Sequence, residues 1–168
     1  MEFSELIYKR RSVRAFTDRA VTDEEVGKML EAATRAPSAC NMQSWHFYVV
    51  RDADTRAKFT EFCAPWVSTA SVIFVVCTDE AQIVAKFGER AKIFPIQDTA
   101  LATANLLLSA ADMGLNGCFI GAFDADKCRD ALGIPKKYGI VALVPVGEAA
   151  TEVSLRERKS LCDVVTYI

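Results

Sequence analysis

One histidine stands in the 168 residues, inside an apolar stretch at position 46. A nucleophile, base and orienting group built around it would need the outer face of a strand, and no G-x-S-x-G elbow supports such a site. His46 reads instead as a structural residue on the polar side of that strand. The six cysteines, at 40, 63, 77, 118, 128 and 162, include no C-x-x-C pair, and no His or Cys pair falls at zinc-ligand spacing. Four of them sit in apolar runs, where Cys behaves as a small hydrophobe, so a reducing cytoplasm is expected. Gly114, Gly117 and Gly121 do not make G-x-G-x-x-G, and no Walker A sequence occurs. Charge of one sign is missing too. Twenty Lys and Arg against 22 Asp and Glu leave a net charge of −2, which gives no general basic surface for nucleic acid. Any anion site must be local. No apolar run reaches the roughly 20 residues of a bilayer span, and the opening Met1 to Glu5 lacks a basic n-region and apolar h-region. A protein neither membrane-bound nor exported is expected.

What is present is a core. The hydrophobic fraction is 51%, with no internal repeat, low-complexity run or linker, so one domain over 1–168 is expected. Phe3, Leu6 and Ile7 repeat at helical spacing ahead of the basic cluster Lys9, Arg10, Arg11 and Arg14. Thr22 and Glu25 have capping-box spacing, and Val26, Met29, Leu30 and Ala33 continue one face until Pro37. Trp45 to Val50 and Ser71 to Cys77, rich in β-branched and aromatic residues, read as buried strands flanking a helical stretch near Asp54 to Phe62. Ile96 to Met113 reads as a central buried helix stopped by Gly114, its face formed by Ile96, Ala100, Leu101, Ala104, Leu107, Leu108 and Ala111 and widened by Ala102 and Leu106. A strand at Cys118 to Ile120, a helix capped by Asp124 and running to Leu132, and a strand at Ile140 to Val146 follow. This order predicts an α+β fold, helices packed on a mixed or antiparallel sheet. The polar tail from Thr151 ends in the apolar Val164 to Ile168, which needs a surface to bury it, and a second chain can supply one.

Two features carry possible chemistry. Arg10 and Arg14 share a face if the first helix continues that far, with Arg11 and Ser12 beside them, and guanidinium forks match phosphate geometry. Arg156 and Arg158, two apart, lie on one side of an extended segment. Two such pairs can close on one phosphate, or all four can be solvated surface charges; spacing alone does not bring them together. The second feature is the loop Ala36-Pro37-Ser38-Ala39-Cys40-Asn41-Met42-Gln43-Ser44-Trp45, with a rigid Pro, small residues, and amides at Asn41 and Gln43 that both donate and accept. It suits the edge of a planar heterocycle, or it is a plain connection anchored by Trp45. Cys40 has no evident base beside it and reads as a small residue.

At this point a resemblance emerges. Arg10-Arg11-Ser12-Val13-Arg14-Ala15-Phe16 followed by Ala36 to Trp45 resembles the paired signature of the nitroreductase family of flavoproteins. Gln97 to Met113 with Gly114-Leu115, then Ile120-Gly121, Pro145-Val146-Gly147 and Arg156 to Lys159 ahead of Leu161 and Val164-Val165 agree in order, so the likeness spans nearly the whole chain. The resemblance implies a homodimer holding FMN at the subunit interface, with the C-terminal tail extending onto the partner. It also implies hydride transfer from NAD(P)H to a small planar electron acceptor by a ping-pong mechanism in one pocket. By position, Arg10, Arg11, Ser12 and Arg14 resemble the segment contacting the ribityl phosphate and the N1/O2 side of the flavin, and Arg156 and Arg158 resemble the late basic pair at the phosphate. Pro37, Ser38, Ala39, Cys40 and Asn41, with Gln43, resemble the loop given by the partner subunit. Ile120 and Gly121 sit where the family's backbone approaches the N5/O4 edge. No side chain is then needed as catalyst, because the flavin carries the hard step.

Two departures stand out. Ser44 stands where Pro is common before the Trp. The stretch Thr78 to Pro95 leaves little room for the helical excursion that often covers the flavin, which bears on acceptor choice; Trp66, Phe87 and Phe94 are the candidate pocket aromatics. Alongside the enzyme stand two other readings, a flavin-binding or sensing module without turnover and a cofactor-free interaction protein.

Overall fold

The computed structural model describes residues 2–168; Met1, the first residue of the expected domain, lies outside them. The elements run α1 (Phe3–Lys9), α2 (Asp23–Thr34), β1 (Trp45–Val50), α3 (Ala53–Ala57), β2 (Val72–Thr78), α4 (Ala81–Phe87), α5 (Ile93–Asp112), β3 (Asn116–Gly117), α6 (Ala125–Leu132), β4 (Gly139–Gly147) and α7 (Leu161–Val164), with short 3-10 turns between several of them. The four strands form one antiparallel sheet in the order β1-β2-β4-β3. The fold class is α+β as expected, and the mixed-sheet alternative is reduced to a single parallel bridge, Ser12 to Gly117. No helix among the described residues is long and apolar enough to cross a membrane.

Period-two alternation divides the central strand between two cores. Val72, Phe74 and Val76 face α2 and α5, where they meet Val26, Met29, Leu106 and Ala110. Ile73, Val75 and Cys77 face the opposite layer, with Phe59, Phe62, Val67, Cys128 and Ile134. Both faces of β2 are therefore buried, which is why its sequence is an unbroken apolar run. β1 is an edge strand and only part-buried, with Val49 exposed, so the expectation of a second buried strand is corrected there.

Local chemistry fixes most boundaries. At the start of α2 the Thr22 side chain accepts from the Glu25 N–H and the Glu25 carboxylate accepts from the Thr22 N–H, closing the predicted capping box. Gly114, at φ 78°, ends α5 in a Schellman motif: its N–H donates to Ala111 and that of Leu115 to Ala110. Asp124 caps α6 and left-handed Gly133 closes it. Three other expectations are corrected. α5 starts three residues early and is rotated: Ala102, Thr103, Leu106, Leu107, Ala110 and Ala111 are buried, while Ile96, Ala100, Leu101 and Ala104 face outward. A helix apolar on most sides gives its sequence no preferred face. The strand expected at Cys118 to Ile120 is the two-residue β3 followed by one bridge, Ile120 to Leu143, with Phe119 exposed between. Thr78 to Pro95 holds α4 and a 3-10 turn at Glu89–Lys92, a short helical excursion of its own. The tail carries the helical turn α7, and its apolar end is exposed.

Candidate functional site

α1 stops at Lys9, so Arg10 and Arg14 do not share a helical face; Arg10 to Thr17 is an extended run instead. It is pinned from both sides. Val13 is 2% exposed, and its N–H donates to Gly117 at 3.3 Å. Further on, Phe16 bridges Ala149, Thr17 N–H donates to Glu148 O at 3.0 Å, and Ala150 N–H donates to Ala15 O at 2.9 Å. The chain leaving β4 is thus zipped onto the opening segment. Arg11 completes the junction as a strut: its Nε donates to Val153 O at 3.1 Å, its Nη1 to the carbonyls of Tyr8 and Arg10, and its backbone N–H to Asn116 Oδ1 at 3.2 Å.

These contacts bring together residues that sequence spacing left apart. Arg10, Arg11, Ser12, Arg14, Arg156 and Arg158 line one cleft of about 200 Å³ with Val153, Ser154 and Leu155. No carboxylate lines it. Arg19, Lys28, Arg35, Arg51, Lys92 and Lys127 each pair with an acid elsewhere, whereas Arg10, Arg14, Arg156 and Arg158 form no ion pair among the described residues. Arg14 stands over Trp66, whose ring centre lies 5.9 Å from its guanidinium carbon. Gathering unpaired cations is unfavourable unless an anion joins them, and the cleft is the size of a phosphate rather than of a whole dinucleotide. Beside it, sharing Arg10 and Ser12, lies an apolar cleft of about 540 Å³ lined by Ile7, Ala104, Leu107 and Phe119 among others.

The second group of predicted residues is elsewhere on the chain. Pro37, Ser38 and Ala39 line a separate cleft of about 350 Å³ with Phe94, Gln97, Asp98 and Leu101. The loop cleft and the apolar cleft meet α5 at neighbouring positions, Asp98 and Leu101 lining the one and Ala100 and Ala104 the other, but they share no lining residue. Within one chain the loop and the arginines do not form a single site. The loop itself is tightly wound: Cys40, Asn41 and Gln43 have φ of 51°, 54° and 50°, left-handed values that cost a side-chain-bearing residue about 1 kcal/mol or more each. Ser38 Oγ accepts from the Gln43 N–H at 3.0 Å, and Gln43 Nε2 donates to Asn41 O at 3.2 Å. Both oxygens of Asp98 accept from the Ala39 N–H, at 3.0 and 3.1 Å. Burial raises the Asp98 carboxyl above its ordinary value, with the Ala39 N–H pulling the other way. Sequence reasoning passed over Asp98, although it is the one charged residue between Ile93 and Ala111.

The remaining predicted residues fall as follows. Ile120 is held by paired hydrogen bonds to Leu143, 2.9 and 3.0 Å, with Gly121 exposed beside it, outside the arginine cleft. Phe94 lines the loop cleft and meets Phe87 edge-on at 6.5 Å, while Trp66 packs on the second core beneath Arg14. His46 stacks on Tyr138 at 4.5 Å. Burial pushes the thiols of Cys77 and Cys128 up to about 12, so both are inert core residues at neutral pH.

The architecture is the nitroreductase-like fold. A nitroreductase family protein from Streptococcus pneumoniae TIGR4 superimposes with a TM-score of 0.90 at 25% identity, across 99% of this chain and 100% of that one. A protein of Exiguobacterium sibiricum, provisionally called a nitroreductase and solved in complex with FMN, shares the fold at a TM-score of 0.88 and 24% identity over 100% of this chain and 98% of its own. In sequence, a protein of Archaeoglobus fulgidus provisionally named NADH dehydrogenase/NAD(P)H nitroreductase is 36% identical over 152 residues, 87% of this chain and 84% of that protein. The model of the nitroreductase family matches residues 7–71 and 60–148. This chain belongs to the nitroreductase family.

Proposed function

We propose that the chain is an FMN-dependent oxidoreductase that takes hydride from NAD(P)H and passes it, in a ping-pong exchange, to nitroaromatic, quinone or related conjugated acceptors. The observation that carries this reading is the cleft of unpaired arginines assembled from both ends of the chain. Arg10, Arg156 and Arg158, with Ser12, would hold the flavin phosphate; Arg14 would stand by the N1/O2 side, where a cation favours the reduced, anionic ring. Ile120 and Gly121 would approach the N5/O4 edge through their backbone. When bound, FMN supplies the electron transfer, so no side chain is asked to act as acid, base or nucleophile.

The site needs a second copy. Pro37, Ser38 and Ala39 line a cleft of their own, and none of Pro37, Ser38, Ala39, Cys40, Asn41 and Gln43 lines the arginine cleft or the apolar cleft beside it. A homodimer in which each loop covers the partner's flavin resolves this, with residues 1–168 as one FMN-binding domain and the tail crossing to the partner. Six free cysteines favour a reducing compartment, the cytoplasm. The test is direct. Protein supplied with FMN should show visible flavin absorbance, bleach with NADH or NADPH under anaerobic conditions, and recover on adding a quinone or nitroaromatic. Replacing Arg10 or Arg158 by Ala should weaken FMN about tenfold to a hundredfold, the worth of one charge-assisted hydrogen bond. Bound FMN that neither nicotinamide reduces would favour the sensing module; no FMN uptake would remove both flavin readings.

A further inference from the structure

The part of the molecule with the least ordinary chemistry is the buried carboxylate of Asp98. It projects from the second turn of α5, is 5% exposed, and has no cation beside it among the described residues. Among the described residues its one hydrogen-bond donor is the Ala39 N–H, from which both oxygens accept. The neighbouring hydroxyls are occupied elsewhere: Thr99 donates to Ile96 O and Thr103 to Thr99 O, each within the helix.

A neutral acceptor would satisfy one N–H at far less desolvation, so a charge at this position demands a reason. The loop that it holds supplies one. Cys40, Asn41 and Gln43 are exposed, so no packing around them imposes their left-handed backbone. Within the turn Asn41 N–H donates to Ser38 O and Met42 N–H to Ala39 O, both at 3.0 Å, and Gln43 Nε2 to Asn41 O; what ties it to its surroundings is at its two feet. Asp98 grips Ala39 on the incoming side, the Ser38 hydroxyl grips Gln43 on the outgoing side, and buried Ser44 is fixed by Asp79 N–H donating to its carbonyl at 2.8 Å. Of these three ties only the first is ionic, and a charge-assisted hydrogen bond is about twice as strong as a neutral one.

We infer that Asp98 is a positioning residue: its buried carboxylate holds the Ser38–Gln43 loop in its strained shape, ready to cover the flavin of a second copy. This rests on the proposed flavin reading and adds to it the group that sets the loop. The carboxylate is retained against its own desolvation because it strengthens the anchor of a strained segment, a pattern found where backbone is preorganised for a ligand. It touches neither flavin nor substrate and acts through Ala39.

The test compares wild type, Asp98→Asn and Asp98→Ala by amide hydrogen exchange over residues 36–44 and by FMN affinity, with the bound flavin's visible circular dichroism as a geometric readout. In Asp98→Ala, loop exchange should quicken and FMN affinity fall, each about tenfold, while β2 and α2 exchange as in wild type. Asp98→Asn keeps an acceptor of the same shape and should fall between the two, with an altered flavin dichroism band. If Asp98→Ala does not fold, the isosteric Asn variant decides alone. Loop exchange and FMN affinity at wild-type level in a folded Asp98 variant would overturn the anchor and leave the flavin reading intact. Wild-type protein that takes up no FMN would overturn both, and the two failures are therefore distinct.

Discussion

Gly117 is the residue at which the site and the sheet meet, and it has no room for a side chain. A Cβ there would lie 2.7 Å from the Pro145 carbonyl oxygen and 2.9 Å from both Leu107 Cδ2 and Val146 Cγ2. Two of those neighbours are flexible methyls, but the third is strand backbone and does not yield. Gly117→Ala should lower stability by about 1–3 kcal/mol in urea titrations, the usual range for overpacking. Because the Gly117 carbonyl accepts from Val13, the same change should loosen the Arg10 to Arg14 run and weaken FMN, which a glycine replaced on the far side of the molecule would not do. Asp98 leads to a prediction about pH. Its carboxyl is raised in the fold by burial, so its favourable contribution to stability is fully present below the unfolded value, about 3.9, and is lost as pH rises through the folded one. Asn does not titrate. The stability of Asp98→Asn relative to wild type should therefore improve between pH 3 and pH 7, both approximate limits around that unfolded value. Urea midpoints at the two ends of the range check it, and a constant difference would contradict it.

At the scale of the element, α2 was written plainly in the sequence because a capping box is local: Thr22 and Glu25 need only each other. Thr22→Ala should cost about 1 kcal/mol, within the 0.5–2 range for a lost cap, as a shift in thermal or urea midpoint at unchanged m value. β2, α6 and the glycine that stops α5 were legible for similar reasons, either local hydrogen bonding or burial on both faces. β3 was not, since its pairing depends on Gly117 fitting against Pro145 and Leu107, a tertiary event with no sequence period. α5 was legible in length and illegible in orientation, because its outward Ile96, Ala100, Leu101 and Ala104 are as apolar as its buried side. The candidate site divides in the same way. Its residue types stood out individually, whereas the meeting of residues 10–14 with 153–158 follows from bonds made by Val13, Thr17 and Ala150, which carry no chemical signal of their own.

At the scale of the whole molecule, exposed large apolar side chains recur on α1, along α5, at Phe119 and through the tail. Phe3, Ile7, Ile93, Phe94, Ile96, Leu101 and Phe119 are all exposed, as are Leu161, Val164, Val165, Tyr167 and Ile168 of the tail. Surface of this kind on a folded chain signals an interface. Sedimentation should give the mass of two chains with FMN bound, and removing residues 161–168 should shift the protein toward monomer and release flavin on dilution. A stable monomer carrying tightly bound FMN would contradict the shared site.

The junction between residues 10–17 and 148–158 has one more effect, on the order of folding. Arg11 meets Val153 O across 142 residues of sequence, so this contact closes a long loop and is gained only after the sheet has brought its two sides near. A refolding chain can therefore complete its central sheet while the basic cleft still has one wall. Anion binding should then follow the sheet in time.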